Sequence, residues 1–270
     1  MPKVEAGEVR LHYELHGEGP PVLMVAGLGN DSRSWAFQLP ALSRRYTVIL
    51  FDNRGVGESD KPPGPYTTRM MGLDAAALLD ALGVGPAHVV GHSMGGLIAQ
   101  HLAIERPDLV RSLTLMGSYG KGGAFGIKLG RVWRIIAEAA GMEVLAREKL
   151  LWLFSRAYIE QNPRELKFVE AFLARGLPPV HSYVSQNLAC AAHDASPRLG
   201  EIRAPTLILA ATGDLVTTMP YAEALRDWIP GSRLVVLDGP GHGMHMEAPD
   251  AVNEAILSFL DSVERGGGSA

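Results

Sequence analysis

Short apolar runs rich in Val, Ile and Leu recur along the chain, and turn residues bound each of them. The runs are PVLMVAG, YTVILF, AHVVGH, SLTLMG, TLILAA and RLVVLDG. Unbroken apolar runs of this length are typical of parallel strands that are covered on both faces. Segments with helical spacing separate several of the runs: SWAFQLPALSRR, MMGLDAAALLDALG, GGLIAQHLAIERP, YAEALRDWIP and DAVNEAILSFLDSV. The alternation predicts an α/β fold with a mostly parallel, doubly wound sheet.

The first segment, MPKVEAGEVRLHYELHG, alternates apolar and polar residues instead. This pattern predicts one half-buried strand, over about residues 9–15, that pairs antiparallel at an edge of the sheet. The segment lacks the apolar stretch of a signal peptide, and the longest apolar runs of the chain are far shorter than a bilayer requires. We therefore expect a cytoplasmic protein with no membrane partner.

The strand and helix alternation breaks once, between residue 118 and about residue 203. The glycine-rich segment SYGKGGAFGIKLG leads there into helix-like stretches with no strand pattern among them. We predict a core formed by residues 1–118 and 199–265, an inserted all-helical cap over residues 119–198, and a disordered tail at 266–270.

Composition excludes several classes of function. The chain has 270 residues, of which 47% are hydrophobic, and a formal net charge of −4, so it can bury a full core but offers no electrostatic footprint for nucleic acid. The single cysteine, Cys190, cannot form an internal disulfide, and nothing near it in the sequence indicates a base that would activate it. The expected partner is a small molecule, and the expected assembly is a monomer or a homodimer.

The run VVGHSMGG ends in glycines around one serine, Ser93. The predicted strand ends at about His92 and a helix begins just after Ser93, so the serine lies on a sharp strand-to-helix turn. Such a turn exposes Oγ above the carboxyl edge of the sheet, where ligands bind in open α/β folds. The pattern predicts a nucleophile elbow.

A serine nucleophile requires a base and an acid that orients the base. DGPGHGMHMEAP places His242 on a loop after the last predicted strand, whereas the alternative, His245, lies at the start of the final helix. TLILAATGDLVTT places Asp214 after the preceding strand, and the alternative acid, Asp238, belongs to the turn that closes the last strand. The chain order Ser93, Asp214, His242 is the order expected for a nucleophile elbow in this type of fold.

An acyl-transfer site also needs amide donors for the oxyanion. Met94, directly after the serine, would supply one backbone N–H, and Leu28 in the AGLGN loop would supply the second. The predicted substrate-binding residues are Gly27, Asn30, His92 and Trp133. Asn30 is equally well explained as a turn former. A metal site at His242 and His245 is disfavoured, because no nearby cysteine or carboxylate completes it.

Taken together, the AGLG loop, FDNRGVGESD, GHSMGG, TGDLV and GHGMHMEAP resemble the α/β-hydrolase superfamily over about residues 9–263. The resemblance implies a Ser93–His242–Asp214 triad, a helical cap over the site, and a core that needs no metal or organic cofactor.

The chain is similar to esterases, enol-lactonases, cofactor-free perhydrolases and the C–C hydrolases of meta-cleavage pathways. C–C hydrolases usually carry asparagine before the nucleophile and tryptophan after the catalytic histidine, where this chain has His92 and Gly243. The favoured function is a serine hydrolase of carboxylic esters or lactones of small to medium apolar substrates. The alternatives are a C–C hydrolase, a perhydrolase, and a ligand-sensing receptor with this fold.

Overall fold

The computed structural model describes residues 2–266 and places eight strands in one sheet. The strands are β1 (Lys3–Ala6), β2 (Val9–His16), β3 (Pro21–Val25), β4 (Thr47–Phe51), β5 (Ala87–His92), β6 (Val110–Met116), β7 (Thr206–Ala211) and β8 (Arg233–Leu237). Their order across the sheet is β1-β2-β4-β3-β5-β6-β7-β8. Strands β2 to β1 and β2 to β4 pair antiparallel, and all other neighbours pair parallel. The predicted fold class is confirmed.

Eleven α-helices are formed within residues 2–266. They are α1 (Leu39–Leu42), α2 (Thr68–Leu82), α3 (Met94–Glu105), α4 (Ala124–Ala140), α5 (Met142–Leu153), α6 (Arg156–Gln161), α7 (Pro163–Ala174), α8 (Val180–Ala191), α9 (Met219–Trp228), α10 (Met244–Glu247) and α11 (Pro249–Gly266). The predicted disordered tail lies outside the described residues, except for Gly266, which ends α11.

The central strands bury both faces. In β3, Leu23 and Val25 pack into the layer that contains α2, α3 and α9, whereas Val22 and Met24 pack into the layer that contains α1 and α11. Because successive side chains of a strand point to opposite faces, a strand covered on both sides must be apolar throughout. This is the physical reason for the unbroken apolar runs.

Two local predictions differ in part from the structure. The predicted strand over about residues 9–15 is formed as β2 and pairs antiparallel, but β1 precedes it in a hairpin, because Gly7 adopts a φ of 66° and turns the chain. The strand at this edge of the sheet is therefore β1 and not β2. The segment SWAFQLPALSRR forms a short 3-10 helix, Ser32–Trp35, and the four-residue α1, because Pro40 has no N–H with which to extend a helix from the preceding turn.

Helices α4 to α8 lie between β6 and β7 in the sequence, and we call them the cap helices. The two ends of this helical segment lie side by side. Lys121 and Asp194 form an isolated antiparallel bridge, and Lys121 Nζ lies 2.7 Å from Asp194 Oδ2. The chain thus leaves the sheet and returns to it at nearly the same place.

Candidate active site

Ser93 occupies a strained turn between β5 and α3. Its φ of 55° and ψ of −120° make it the one residue other than glycine with a positive φ in residues 2–266. A Cβ atom on Gly91 would collide with the carbonyl oxygen of Gly95, and one on Gly95 would collide with the carbonyl oxygen of Val25. The turn therefore requires glycine on both sides of the serine, and its strain is of the kind found at functional sites.

Three predicted side chains form a hydrogen-bonded series at the carboxyl edge of the sheet. Ser93 Oγ lies 2.9 Å from His242 Nε2, and His242 Nδ1 lies 2.8 Å from Asp214 Oδ2. They are brought together by the ends of β5, β7 and β8, which all point toward the same edge. An ionised carboxylate only accepts hydrogen bonds, so Nδ1 carries the proton and Nε2 accepts from the serine hydroxyl. This arrangement can move a proton from Ser93 to His242.

Asp214 is held ionised by its surroundings. Its Oδ1 accepts hydrogen bonds of 2.8 Å from the amides of Val216 and Thr217, and Thr217 Oγ1 donates to Oδ2 at 2.6 Å. Burial by itself raises the pKa of this carboxyl group, but His242 and the bonds from Thr217 outweigh burial and lower the pKa below its usual value. The sequence analysis missed Thr217, although its place three residues after Asp214 fits a side chain that caps its own loop.

The two alternative residues lie elsewhere. Asp238 is on the surface, where it accepts a hydrogen bond of 2.9 Å from Thr212 Oγ1. His245 is buried in α10, with ring centroids 5.5 Å from Trp35 and 4.3 Å from His92. Burial lowers the pKa of His245 to about 3, so this ring is neutral and packs as part of the core.

His92 contacts the loop that carries His242. Its Nε2 lies 2.9 Å from the carbonyl oxygen of His242, and the centroids of the two rings are 5.0 Å apart. Burial lowers the pKa of His92 well below its usual value, so the ring is neutral and donates the Nε2 proton to that carbonyl. No sequence pattern indicates this contact, because it joins residues that are 150 positions apart.

The two predicted amides are available to a ligand. Neither the N–H of Leu28 nor that of Met94 donates to an acceptor within residues 2–266. A Cβ atom on Gly27 would lie 3.3 Å from Cβ of Ser93, so the loop that carries Leu28 runs beside the serine. The peptide between Leu28 and Gly29 is fixed by two cap side chains: Lys149 Nζ donates to the Leu28 carbonyl oxygen at 3.1 Å, and Gln186 Oε1 accepts from the Gly29 amide at 3.0 Å.

A cavity of about 80 Å³ adjoins Ser93 and His242. All four predicted substrate-binding residues line this cavity, together with Leu28 and Met94; the four are Gly27, Asn30, His92 and Trp133. The remaining walls are mostly apolar and glycine-rich, and many of them come from the cap helix α4. Lys149 and Gln186, which also belong to the cap helices, carried no recognisable signal in the sequence.

Cys190 also lines the cavity, which raises the question of a second nucleophile. Burial raises the pKa of its thiol to about 12, so the thiol stays protonated at neutral pH. Since the thiolate is the nucleophilic form of cysteine, the protonated thiol of Cys190 is a poor nucleophile.

Residues 2–266 contain no group of three or more His, Cys, Asp or Glu side chains that could hold a metal ion. Within the same residues, none of the helices has the length and apolar character needed to cross a membrane.

Comparison with protein families agrees with this architecture. A family model described as "alpha/beta hydrolase fold" matches residues 20–249. This span includes β3 to β8, the cap helices, Ser93, Asp214 and His242. The chain belongs to the alpha/beta hydrolase fold family.

Three individual proteins are similar to this chain over nearly its full length. A protein of Azorhizobium caulinodans named "Putative carbamate hydrolase RutD" is 34% identical over 98% of this chain and 100% of its own length. The crystal structure of an enol-lactonase from Burkholderia xenovorans is 30% identical, covers 96% of this chain and 100% of its own, and has a TM-score of 0.89. A thermophilic esterase from Thermogutta terrifontis is 28% identical, covers 97% and 99% of the two chains, and has a TM-score of 0.88. These similarities support a hydrolase.

Proposed function

We propose that this chain is a serine hydrolase that cleaves carboxylic esters or lactones of small to medium apolar substrates through an acyl-enzyme on Ser93. The observation that carries the proposal is the hydrogen-bonded series from Ser93 Oγ through His242 to the buried Asp214. The two unpaired amides of Leu28 and Met94 beside the serine and the mostly apolar cavity support it.

Acylation begins when Ser93 Oγ attacks the carbonyl carbon and His242 Nε2 takes the hydroxyl proton. Asp214 keeps the ring in the correct tautomer and stabilises the imidazolium that forms. The oxygen of the tetrahedral intermediate receives hydrogen bonds from the amides of Leu28 and Met94. His242 then gives its proton to the leaving alkoxide as the carbon–oxygen bond breaks. An alcohol departs, or, in a lactone, the ring opens and the alcohol stays attached to the acyl group.

Deacylation repeats the same proton transfers with water. His242 takes a proton from water, the hydroxide attacks the acyl carbonyl carbon, and the oxyanion again lies against the two amides. The bond to Ser93 Oγ breaks, His242 returns the proton to Ser93, and the carboxylic acid leaves.

A carbamate is the second candidate substrate, because a relative that aligns with the whole chain is named for carbamate hydrolysis. Its carbonyl carbon is attacked in the same way, so the triad does not discriminate between the two. A receptor that binds a ligand without releasing product is the alternative from another class, and it would show an initial burst without later turnover.

The deciding experiment compares purified wild type with Ser93→Ala on a panel of p-nitrophenyl esters, lactones and aryl carbamates. We expect steady turnover by the wild type and a loss of roughly four to six orders of magnitude in the variant, because the triad acts as one unit. A serine-directed phosphonate should add its mass to the peptide that contains Ser93. Retention of more than about a tenth of the activity by a folded Ser93→Ala variant, or labelling of another residue, would refute the proposal.

A further inference from the structure

Lys149 reaches from α5 into the candidate active site. Its Nζ donates to the carbonyl oxygen of Leu28 at 3.1 Å. The same atom lies 5.4 Å from the ring centroid of Trp133 and 5.6 Å from that of Tyr183. The side chain is partly buried and lines the cavity beside Ser93. A cation therefore lies next to the loop that supplies one of the two free amides.

Lys149 has no carboxylate hydrogen-bonded to its Nζ in residues 2–266. Lys149 is the one Lys, Arg, Asp or Glu among the described residues that line this cavity. The charge of the neighbouring Glu148 raises the pKa of Lys149, but Glu148 forms no ion pair with Lys149 in the described part of the chain and accepts a hydrogen bond of 2.7 Å from Trp152 Nε1. An ammonium group has three N–H donors, and only the one directed at Leu28 finds an acceptor in residues 2–266.

Without a bound ligand, this arrangement of Lys149 destabilises the folded protein. Burial lowers the pKa of Lys149 to about 8, so the group is still mostly protonated at neutral pH but lacks the solvation it has in water. The two aromatic rings compensate only partly, since cation–π contacts are weaker than a charge-assisted hydrogen bond. Trp133, which lines the same cavity, also has a buried indole N–H without an acceptor. Lys149 and Trp133 together thus have three N–H donors without an acceptor in residues 2–266.

We infer that Lys149 determines specificity for an ester or lactone that carries a free carboxylate elsewhere on an apolar acyl body. The carboxylate would accept from the two unused N–H groups of Lys149, while the scissile carbonyl lies at Ser93. A carboxylate compensates a buried ammonium ion because the pair attracts strongly where water is excluded. This inference rests on the proposed function of Ser93, and it narrows the substrate class to half-esters of short dicarboxylic acids and lactones of short hydroxy dicarboxylic acids.

Gln186, on another cap helix, provides a matched control for Lys149. Lys149 and Gln186 hold opposite ends of the same peptide, between Leu28 and Gly29, but Gln186 carries no charge. Removing either side chain loosens the loop that carries the Leu28 amide, and only the loss of Lys149 removes the cation. A change in substrate preference therefore separates charge recognition from support of the loop.

The test compares kcat/KM for monoethyl succinate and ethyl butyrate, two esters of similar length of which only the first carries a carboxylate. Proton release at constant pH 7 measures both reactions. We expect Lys149→Met to lower the ratio of the two values by about tenfold or more, the loss produced by removing a compensated charge. Gln186→Met should reduce both values and leave their ratio within about twofold, since it changes no charge. If Lys149→Met fails to fold, Lys149→Gln is measured in its place, and we expect the same fall in the ratio of the two kcat/KM values.

A binding measurement keeps the inference separate from catalysis. Calorimetric titration of monoethyl succinate into Ser93→Ala, and into Ser93→Ala combined with Lys149→Met, should show binding that weakens about tenfold without the lysine. If ethyl butyrate is cleaved but neither Lys149 variant changes the ratio or the binding, the inference is wrong and the proposed function stands. If neither ethyl ester is cleaved, the titration alone decides whether Lys149 binds carboxylates, and the proposed function fails only if p-nitrophenyl esters and lactones are not cleaved either.

Discussion

His92 Nε2 donates a hydrogen bond of 2.9 Å to the carbonyl oxygen of His242, so the residue that precedes the candidate nucleophile also holds the backbone of the candidate base. The elbow and the histidine loop are thereby fixed relative to each other at two points. One is the bond from Ser93 Oγ to the imidazole, and the other is the bond from His92 to the backbone. His92 is a positioning residue in this arrangement.

Replacing His92 should therefore impair the chemical step rather than the fold. We expect His92→Phe to lower kcat about 10- to 100-fold, because a small displacement of His242 costs that much in rate, with a smaller change in KM. His88→Gln is the control: His88 lies on the same strand but bonds to Ser112 and Glu264, away from the site. Steady-state kinetics with p-nitrophenyl butyrate measures both, and equal kcat losses in the two variants would contradict the role given to His92.

The acid can be assigned by a pair of isosteric substitutions. Asp214→Asn should lower kcat by about 10⁴, because an amide stabilises the wrong tautomer of His242. Asp238→Asn should leave kcat within about twofold, since Asp238 bonds to Thr212 on the surface. Circular dichroism confirms that both variants are folded. A large loss in Asp238→Asn with an active Asp214→Asn would reverse the assignment.

Acid should destabilise the protein in part through His245. Burial lowers the pKa of His245 in the folded state to about 3, below the value near 6.5 of an unfolded chain. Between these two pKa values the folded state therefore binds fewer protons than the unfolded chain. The stabilising contribution of the neutral His245 ring is complete above pH 6.5 and is lost as the pH falls toward 3. At pH 5 this single ring contributes a loss of about 2 kcal/mol.

We expect His245→Phe to flatten the dependence of the melting temperature on pH between 7 and 5. His181→Phe, at an exposed position, should leave this dependence unchanged. Calorimetric melting temperatures at three pH values measure the effect. Parallel curves for wild type and His245→Phe would show that His245 is not buried in its neutral form.

Gly95 in the elbow and Gly126 in α4 differ in whether a Cβ atom fits. Gly95→Ala should lower the free energy of unfolding by about 3 kcal/mol or more, because the new Cβ would overlap the carbonyl oxygen of Val25. Gly126→Ala should raise it by up to about 1 kcal/mol, because Gly126 lies inside α4 and a Cβ there meets nothing within 4 Å. Urea unfolding measures both, and a stable Gly95→Ala would show that the elbow is looser than described.

The sequence predicted the parts of the fold that depend on local pattern. Apolar runs indicated β3 to β8, because both faces of β3 to β7 are covered and the edge strand β8 is partly buried. The turn signals after β5, β7 and β8 indicated where Ser93, Asp214 and His242 lie. The positions of these three residues along the chain were sufficient for the prediction, because the carboxyl ends of parallel strands lie at one edge of the sheet.

Contacts between distant segments could not be predicted in this way. The bond from Lys149 to the Leu28 carbonyl joins a cap helix to a core loop, and neither residue type nor spacing indicates it. The hairpin of β1 and β2 was missed because Gly7 interrupts a pattern that alternates on both sides of it. A local sequence pattern indicates where a strand begins and ends. The packing of the cap helices depends instead on contacts between residues that are distant in the sequence.

The bridge between Lys121 and Asp194 at the base of the cap helices has an evolutionary consequence. Because the two ends of the helical segment meet there, the segment can change in length or sequence without separating β6 from β7. The helical segment, which lines much of the cavity, can therefore change while the strand ends that present the serine, histidine and aspartate stay in place. Two hydrogen bonds to the peptide between Leu28 and Gly29 restrict how the helical segment can change. Any replacement segment must again provide a donor for the Leu28 carbonyl and an acceptor for the Gly29 amide, as Lys149 and Gln186 do now.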